Sequence, residues 1–140
     1  MYYCSMYSFD TKLRVRYGET DQMGFAYYGV YAQYYEVGRV ELLRSLNISY
    51  KKIEDMGYAL PVVNFNINYK KPAYYDDLLT IRTTINVVPS IKLIFNYIIL
   101  NENGDELNTG EVTLVFINKK TVKPCNAPDF IIKKILEKFK

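Results

Sequence analysis

RYGETDQMGFAYYGVYAQYYEVGRVELLRSLN, residues 16–47, is the stretch that decides the fold. From Tyr31 onward, one set of residues recurs at the spacing of a single α-helical face. This set consists of Tyr31, Tyr35, Gly38, Leu42 and Leu46. The pattern predicts a long helix to about Asn47, which forms the core of the fold. Glycine in a helix interior costs about 1 kcal/mol relative to alanine, so we expect a sheet or a partner backbone to approach Gly38 closely.

The segment ahead of this helix, residues 19–24, has the sequence ETDQMG, which suits a tight turn that leads into a helix N-terminus. Asp21 would then lie close to the unpaired N–H groups of the helix start, which can hold an oxyanion or polarise a carbonyl. A carboxylate beside such a carbonyl can attack it or activate a water molecule, which suggests acyl-transfer hydrolysis. The alternative is that Asp21 only caps the helix or closes an Asx turn, which is the commoner use of this residue.

Alternation of apolar and polar residues predicts five strands around this segment. They cover residues 9–17, 59–69, 78–88, 91–100 and 107–118. Phe9, Thr11, Leu13, Val15 and Tyr17 would share one face of the first strand, and Val63, Phe65, Ile67 and Tyr69 one face of the second. We expect the last four strands to form a meander. Since one long helix serves five strands, a parallel βαβ arrangement is excluded, and the predicted class is α+β with an antiparallel sheet curled around the helix.

Two shorter helices complete the predicted order. Ser49 is a suitable N-cap and Gly57 a suitable C′ residue for a short helix between them. Residues 131–139, IIKKILEKF, have an apolar stripe at helical spacing and predict an amphipathic C-terminal tail helix. We expect this tail helix to dock on its own domain or on a sister subunit, and not on a membrane.

Length and composition limit the possible functions. A chain of 140 residues fits a single domain, residues 1–140, with a sizeable core. The formal charge of +3 is small and dispersed, which argues against nucleic-acid binding. The chain shows neither a secretory leader nor a membrane-spanning apolar run, so we expect a soluble cytoplasmic protein. Cys4 and Cys125 lack metal-site spacing and are interpreted as ordinary thiols.

Histidine is absent from the sequence. Its absence removes Ser-His-Asp and Cys-His nucleophile pairs and nearly all zinc and non-haem iron sites. Catalysis would therefore depend on carboxylates, hydroxyls, amines or backbone groups, and we expect neither a metal nor a cofactor.

A family resemblance is carried by three blocks of residues in order. The first block contains Tyr17, Thr20, Asp21, Gly24, Tyr27, Tyr31, Glu36 and Arg39; the second contains Tyr69, Pro72, Ala73, Asp77 and Leu78; the third is VFIN, residues 115–118, followed by Pro124 and Pro128. From about residue 9 to 130, the chain resembles the hot-dog-fold acyl-CoA thioesterases, in the branch of 4-hydroxybenzoyl-CoA thioesterase and the YbgC-like enzymes. Members of this family have a five-stranded antiparallel sheet wrapped around one long helix, and two such units lie side by side with active sites at their interface.

The resemblance implies that Asp21 is the catalytic carboxylate, acting as nucleophile or as general base. It also implies that the backbone N–H of Tyr28, at the helix start, polarises the thioester carbonyl. The implied assembly is a homodimer or homotetramer. Two positions depart from the YbgC-like pattern, in which His often stands at Tyr28 and Asn at Val30, and the second departure affects the orientation of the substrate or the placement of a water.

Further substrate-binding residues are predicted around the loop and on the later strands. Gly24, Tyr27 and Tyr31 would contact the substrate near the loop, although packing of helix against sheet is an equally suitable use of Tyr31. The phosphates of coenzyme A could be met by Lys70, Lys71, Arg82 and Lys92, although a solvated surface is the usual place for such a side chain. Glu36 could be a second acid, but a pair with Arg39 within the helix is the favoured interpretation.

The sequence thus predicts an acyl-CoA thioesterase that produces a free acid and coenzyme A. An alternative is a protein that binds acyl-CoA or acyl carrier protein in the same pocket without turnover. A structural dimerisation domain is a third hypothesis.

Overall fold

The computed structural model of this protein describes residues 6–139, so Cys4 lies outside the described residues. The strands are β1 (Tyr7–Arg14), β2 (Tyr58–Ala59), β3 (Val62–Tyr69), β4 (Leu78–Ile85), β5 (Lys92–Leu100), β6 (Glu106–Val115), β7 (Ile117–Asn118) and β8 (Lys123–Pro124). The α-helices are α1 (Tyr31–Ser45), α2 (Tyr50–Asp55) and α3 (Asp129–Lys138). Single 3₁₀ turns cover Tyr17–Glu19 and Tyr28–Val30, and the second leads directly into α1.

The main sheet has five antiparallel strands in the order β1-β4-β5-β6-β3. Helix α1 lies across it, against β1 and β4. A small second sheet pairs β7 with β2 and β8. The α+β class and the five-stranded antiparallel sheet around one long helix are therefore confirmed.

The apolar face of α1 is buried as its spacing predicts. Tyr31, Tyr35, Gly38, Leu42 and Leu46 are all buried, and the Tyr35 ring stacks on the Tyr97 ring of β5 with 4.0 Å between centroids. The close approach expected at Gly38 is confirmed. A Cβ atom there would lie 2.8 Å from Ile81 Cγ2 of β4 and even closer to Thr83 Oγ1.

The two shorter helices, α2 and α3, form in the predicted segments. The Ser49 side chain accepts a hydrogen bond from the Lys52 N–H at 3.1 Å, and Gly57 ends α2 with φ +97°. Helix α3 begins at Asp129 and buries Ile131 and Ile135 against the domain. No helix within residues 6–139 is both long and apolar enough to span a membrane.

The predicted meander is wrong for β3. Strands β4, β5 and β6 follow one another in the sheet, but β3 pairs with β6 at the far edge and is not a neighbour of β4. Alternation determines which face a residue takes, but it does not determine which strand lies alongside. As an edge strand, β3 leaves one row of its backbone groups without a strand partner in the described chain.

Several strand boundaries also differ from prediction. Strand β1 ends at Arg14, and Tyr17 lies in a 3₁₀ turn with 78% of its surface exposed. The register of β3 shifts between Val62 and Asn64. As a result Val62, and not Val63, lies beside Leu114 on the helix side of the sheet. A bulge of this kind interrupts the period of two that the prediction assumed.

Candidate active site

Asp21 is held in a small hairpin that ends at the start of α1. The Tyr27 N–H donates to the Glu19 carbonyl at 2.9 Å, and the Asp21 N–H donates to the Phe25 carbonyl at 3.0 Å. The tip is closed by the Gly24 N–H, which donates to the Asp21 carbonyl at 3.0 Å. Gly24 has φ +89°, a conformation that residues with a Cβ rarely adopt, so glycine is required at this turn.

Only one oxygen of the Asp21 carboxylate takes part in a hydrogen bond within the turn. Oδ1 accepts the Met23 N–H at 2.9 Å, which is the Asx turn weighed as the alternative use of this residue. Oδ2 has no hydrogen-bond partner among residues 6–139, and the side chain is half-buried. One carboxylate oxygen therefore remains available to a substrate or a water molecule.

Two clefts meet at Asp21. The first, here called the aromatic cleft, has a volume of about 510 Å³ and is lined by Asp21, Met23, Phe25, Ala26, Tyr28, Tyr31, Tyr69, Lys70, Lys71 and Pro72. The second, here called the polar cleft, has a volume of about 580 Å³ and is lined by Arg16, Gly18, Glu19, Thr20, Asp21, Tyr27, Gly29, Val30 and Gln33. Within this described surface, Asp21 is the residue that both clefts share.

Tyr27 and Tyr28 form a ridge between the two clefts. Their rings lie 4.7 Å apart, and Tyr27 lines the polar cleft while Tyr28 lines the aromatic cleft. A Cβ atom on Gly29 would lie 2.6 Å from Tyr27 Cε2, so the ring sits directly against the backbone of the 3₁₀ turn. The ridge thus stands over the first residues of the helical segment.

The Tyr28 backbone lies at the helix start, where the family resemblance implies an N–H group that polarises the thioester carbonyl. Tyr28 is the first residue of the 3₁₀ turn that leads into α1, and no acceptor among the described residues takes its N–H. Unpaired N–H groups at a helical start carry a partial positive charge and bind anionic oxygen. The Tyr28 carbonyl is fixed by the Tyr69 hydroxyl, which donates to it at 3.1 Å.

Tyr31 and Tyr35 lie on the same face of α1, but only Tyr31 reaches a cleft. Tyr31 lines the aromatic cleft, and its ring lies 5.7 Å from that of Tyr69; burial raises the pKa of its hydroxyl, which stays protonated at neutral pH. Tyr35 is fully buried, lines neither cleft, and donates its hydroxyl proton to Asn108 Oδ1 at 2.7 Å. Tyr35 is therefore a packing residue.

The predicted cations fall into two groups. Lys70 and Lys71 lie at the rim of the aromatic cleft, where their ammonium groups are 3.7 Å from Glu106 and 3.6 Å from Asp105. Lys92 begins β5 opposite Val115, at the other end of the sheet from Tyr69, and lines neither cleft. Arg82 is engaged by both oxygens of Asp10, at 2.9 and 3.0 Å.

Glu36 stands away from both clefts. Its Oε2 lies 4.0 Å from Arg39 Nη2, which is the intrahelical pair that the sequence favoured. Within residues 6–139, no group of three His, Cys, Asp or Glu side chains could hold a metal ion.

Sequence reasoning missed two of the four aromatic side chains that line the aromatic cleft, Phe25 and Tyr69. Met23 was placed only in the turn and Phe25 was given no role, while Tyr69 was assigned to a strand face and to the family resemblance but not to the substrate. A signal for Tyr69 was present, because it is the last inward residue of its strand and is followed at once by two lysines. Phe25 had no comparable signal, because a loop residue has no period from which to infer its direction.

Comparison with known proteins identifies relatives over most of the chain. The family model described as "Thioesterase-like superfamily" matches residues 15–135. The acyl-CoA thioester hydrolase YbgC of Escherichia coli is 33% identical over 120 residues, which cover 86% of this chain and 90% of that protein.

Solved structures are also similar. A DHNA-CoA thioesterase from Staphylococcus aureus has a TM-score of 0.81 and 34% identity, covering 85% of this chain and 80% of that one. Slr0204 from Synechocystis, a 1,4-dihydroxy-2-naphthoyl-CoA thioesterase, has a TM-score of 0.85 and 25% identity, covering 91% of this chain and 95% of that one.

Proposed function

The chain belongs to the thioesterase-like superfamily and has the hot-dog fold of its structural relatives, and we propose that it hydrolyses acyl-CoA thioesters to a free acid and coenzyme A. One observation carries this proposal. A carboxylate with a free oxygen, Asp21, lines the same cleft as Tyr28, whose unpaired N–H begins the central helical segment. The names of the relatives, which include acyl-CoA thioester hydrolases, support the same reaction.

In the proposed reaction the thioester carbonyl lies between Asp21 and the Tyr28 N–H. Asp21 Oδ2 either removes a proton from a water that attacks the carbonyl carbon, or attacks that carbon itself to give an anhydride that water then hydrolyses. In both cases the carbonyl oxygen becomes negative and accepts the Tyr28 N–H. A single hydrogen bond of this kind contributes about 3 to 4 kcal/mol to transition-state stabilisation. The C–S bond breaks as this tetrahedral intermediate collapses, and coenzyme A leaves as the thiolate. In the nucleophilic route the same collapse forms the anhydride, and water hydrolyses it afterwards.

The two clefts give the substrate room on both sides of Asp21. A thioester placed over the ridge of Tyr27 and Tyr28 would extend its acyl group and its pantetheine arm in opposite directions. Lys70 and Lys71 at the rim of the aromatic cleft would meet the phosphates of coenzyme A. Their present carboxylate partners are about half exposed, and such pairs contribute only about 0 to 1 kcal/mol, so phosphates can displace them.

Lys92 takes part in this proposal only through a second copy of the chain. The free edge of β3 allows two sheets to join side by side, and an antiparallel junction brings the Val62 end of one copy toward the Tyr69 end of the other. The end that holds Lys92 also holds Val62, since both strands pair with the last residues of β6. We therefore retain Lys92 as a phosphate contact across a homodimer, or a homotetramer of such dimers, in the cytoplasm.

Asp21→Asn tests the carboxylate with little change to the loop, because the asparagine oxygen can still accept the Met23 N–H. We expect kcat with acyl-CoA substrates to fall by about 10² to 10⁴, since general-base or nucleophilic catalysis by the carboxylate is lost. Released thiol is measured over short, long and aromatic acyl groups. Unchanged turnover in this variant would remove Asp21 from the mechanism.

Tyr28→Pro tests the backbone N–H separately. Proline is tolerated at the first helical position, and Tyr27 already has the extended conformation, φ −60° and ψ 135°, that a residue before proline prefers. We expect kcat to fall by about 10² to 10³ relative to Tyr28→Ala, which removes the same ring but keeps the N–H. Tight binding of acyl-CoA by the wild type without any hydrolysis would favour the alternative of a binding protein.

A further inference from the structure

Within residues 6–139, the hairpin that carries Asp21 is joined to α1 by one side-chain hydrogen bond. Its internal hydrogen bonds, from Tyr27 to Glu19 and from Asp21 to Phe25, fix Asp21 within the hairpin. They do not fix the hairpin against the body of the helix. Among the described residues, the bond between Glu19 and Tyr34 is the only side-chain hydrogen bond from residues 16–27 to α1.

Glu19 gathers four donors on its two carboxylate oxygens. Oε1 accepts the Tyr34 hydroxyl and the Arg16 N–H, each at 2.9 Å. Oε2 accepts Arg16 Nε at 3.1 Å and Arg16 Nη2 at 2.9 Å. The Glu19 side chain is only 12% exposed and Tyr34 only 2%, so the hydrogen bond between them is sheltered from solvent. The Arg16 side chain is 79% exposed, so its pair with Glu19 lies at the surface.

The protonation states keep this contact intact at neutral pH. Burial works to raise the pKa of the Glu19 carboxyl, but the Arg16 N–H, the Arg16 guanidinium and the Tyr34 hydroxyl together lower it below its ordinary value. Burial, followed by the hydrogen bond to Glu19, raises the pKa of Tyr34, so its hydroxyl remains a donor. A neutral hydroxyl that donates to a charged carboxylate makes one of the stronger hydrogen bonds in proteins.

We infer that Glu19 and Tyr34 are positioning residues, which set the separation between the Asp21 carboxylate and the Tyr28 N–H. The inference rests on the proposed function, because it concerns the geometry of that same site. Glu19 is two residues from Asp21 on one hairpin strand, and Tyr34 is two turns of helix from Tyr28, so the contact spans the two halves of the reacting pair. A misplacement of about 1 Å between reacting groups costs about 10²-fold in rate.

Tyr34→Phe removes the hydrogen bond to Glu19 and changes little else, because the ring stays in place and Tyr34 lines neither cleft. We expect kcat to fall about tenfold while KM stays within about twofold, since substrate contacts are unchanged. Tyr7→Phe is the matched control. Its hydroxyl bonds to the Ser45 hydroxyl at 2.7 Å, at the opposite end of α1, and its loss should leave kcat at the wild-type value.

Two variants of Glu19 complete the design. Glu19→Gln keeps an oxygen that can accept the Tyr34 hydroxyl, and we expect it to retain more of kcat than Glu19→Ala. The double variant Glu19→Ala with Tyr34→Phe should be no slower than Glu19→Ala alone, because both changes break the same contact. Thermal unfolding of all variants shows whether a loss of kcat merely follows a loss of stability.

Three outcomes would overturn the inference: wild-type kcat in Tyr34→Phe, a rise in KM with kcat unchanged, or an equal fall in kcat in Tyr34→Phe and Tyr7→Phe. Its failure is distinguishable from failure of the proposed function. An inactive Asp21→Asn together with a fully active Tyr34→Phe refutes only the positioning role. A fully active Asp21→Asn refutes the proposed mechanism itself.

Discussion

Gly38→Ala measures how closely α1 lies on the sheet. An alanine Cβ would stand 2.8 Å from Ile81 Cγ2 and 3.4 Å from Tyr97 Cε1, with Thr83 Oγ1 closer than either. Ile81 and Thr83 are β-branched and fully buried, and β4 is paired on both sides, so neither side chain can rotate away. The added methyl group must therefore push the helix from the sheet or strain the strand beneath it.

The expected magnitude is a difference of two opposing effects. Alanine stabilises a helix interior by about 1 kcal/mol relative to glycine. Overpacking a well-packed core destabilises it by about 1 to 3 kcal/mol, and contacts this short belong to the upper part of that range. We expect the free energy of unfolding to fall by about 1 to 2 kcal/mol, measured by urea denaturation.

The Thr83→Ala background supplies an internal control. This substitution removes the Thr83 hydroxyl, whose oxygen is the atom nearest to the new Cβ. That hydroxyl is buried and has no hydrogen-bond partner among the described residues. In that background the penalty of Gly38→Ala should shrink by about 0.5 to 2 kcal/mol. A Gly38→Ala protein that is about 1 kcal/mol more stable than wild type would show only the gain in helix propensity. That result would refute the close approach of α1 to β4 at Gly38.

Three further predictions concern other parts of the chain. Val122 is 76% exposed with φ +57°, which is strained for a β-branched residue, so Val122→Asn should raise the free energy of unfolding in urea by about 1 kcal/mol. Because the pKa of Glu19 is lowered in the folded protein, its carboxylate stabilises the fold at pH values above the ordinary carboxyl pKa. This contribution is lost as the pH falls through the lowered pKa. The stability difference between wild type and Glu19→Gln should therefore be largest near neutral pH and should narrow in acid; a constant difference would contradict it. Lys70→Gln and Lys71→Gln should each raise KM for acyl-CoA about three- to tenfold at low salt and less at high salt. An N-acetylcysteamine thioester, which lacks the phosphates, should show no change.

Periodicity in the sequence was sufficient to predict the architecture. A buried helical face from Tyr31 to Leu46 and five alternating segments leave few arrangements other than a sheet around a helix. The position of β3 was not predictable in the same way. Its neighbour is determined by the connection between Tyr69 and Leu78, which carries the chain back across the sheet, and alternation contains no information about that path.

The candidate site was predictable where it is local in sequence. Asp21, the turn at Gly24 and the N–H of Tyr28 lie within eight consecutive residues. Turn and capping rules predicted the turn and unpaired N–H groups beside Asp21, and the family resemblance singled out Tyr28 among them. The bond between Glu19 and Tyr34 joins residues fifteen apart and depends on how the hairpin leans on the helix. The direction of Phe25 depends on the same packing, and no local pattern in the sequence encodes it.

The open edge of β3 has a consequence for how this protein tolerates change. In a single chain Val62, Val63 and Phe65 count as surface residues, with 46%, 57% and 40% of their areas exposed, and would be expected to accept substitution freely. If a second copy covers them, the same three positions become interior, and polar replacements there should be as harmful as replacements beneath α1. Substitutions on this strand would then be limited by the assembly and not by the single domain.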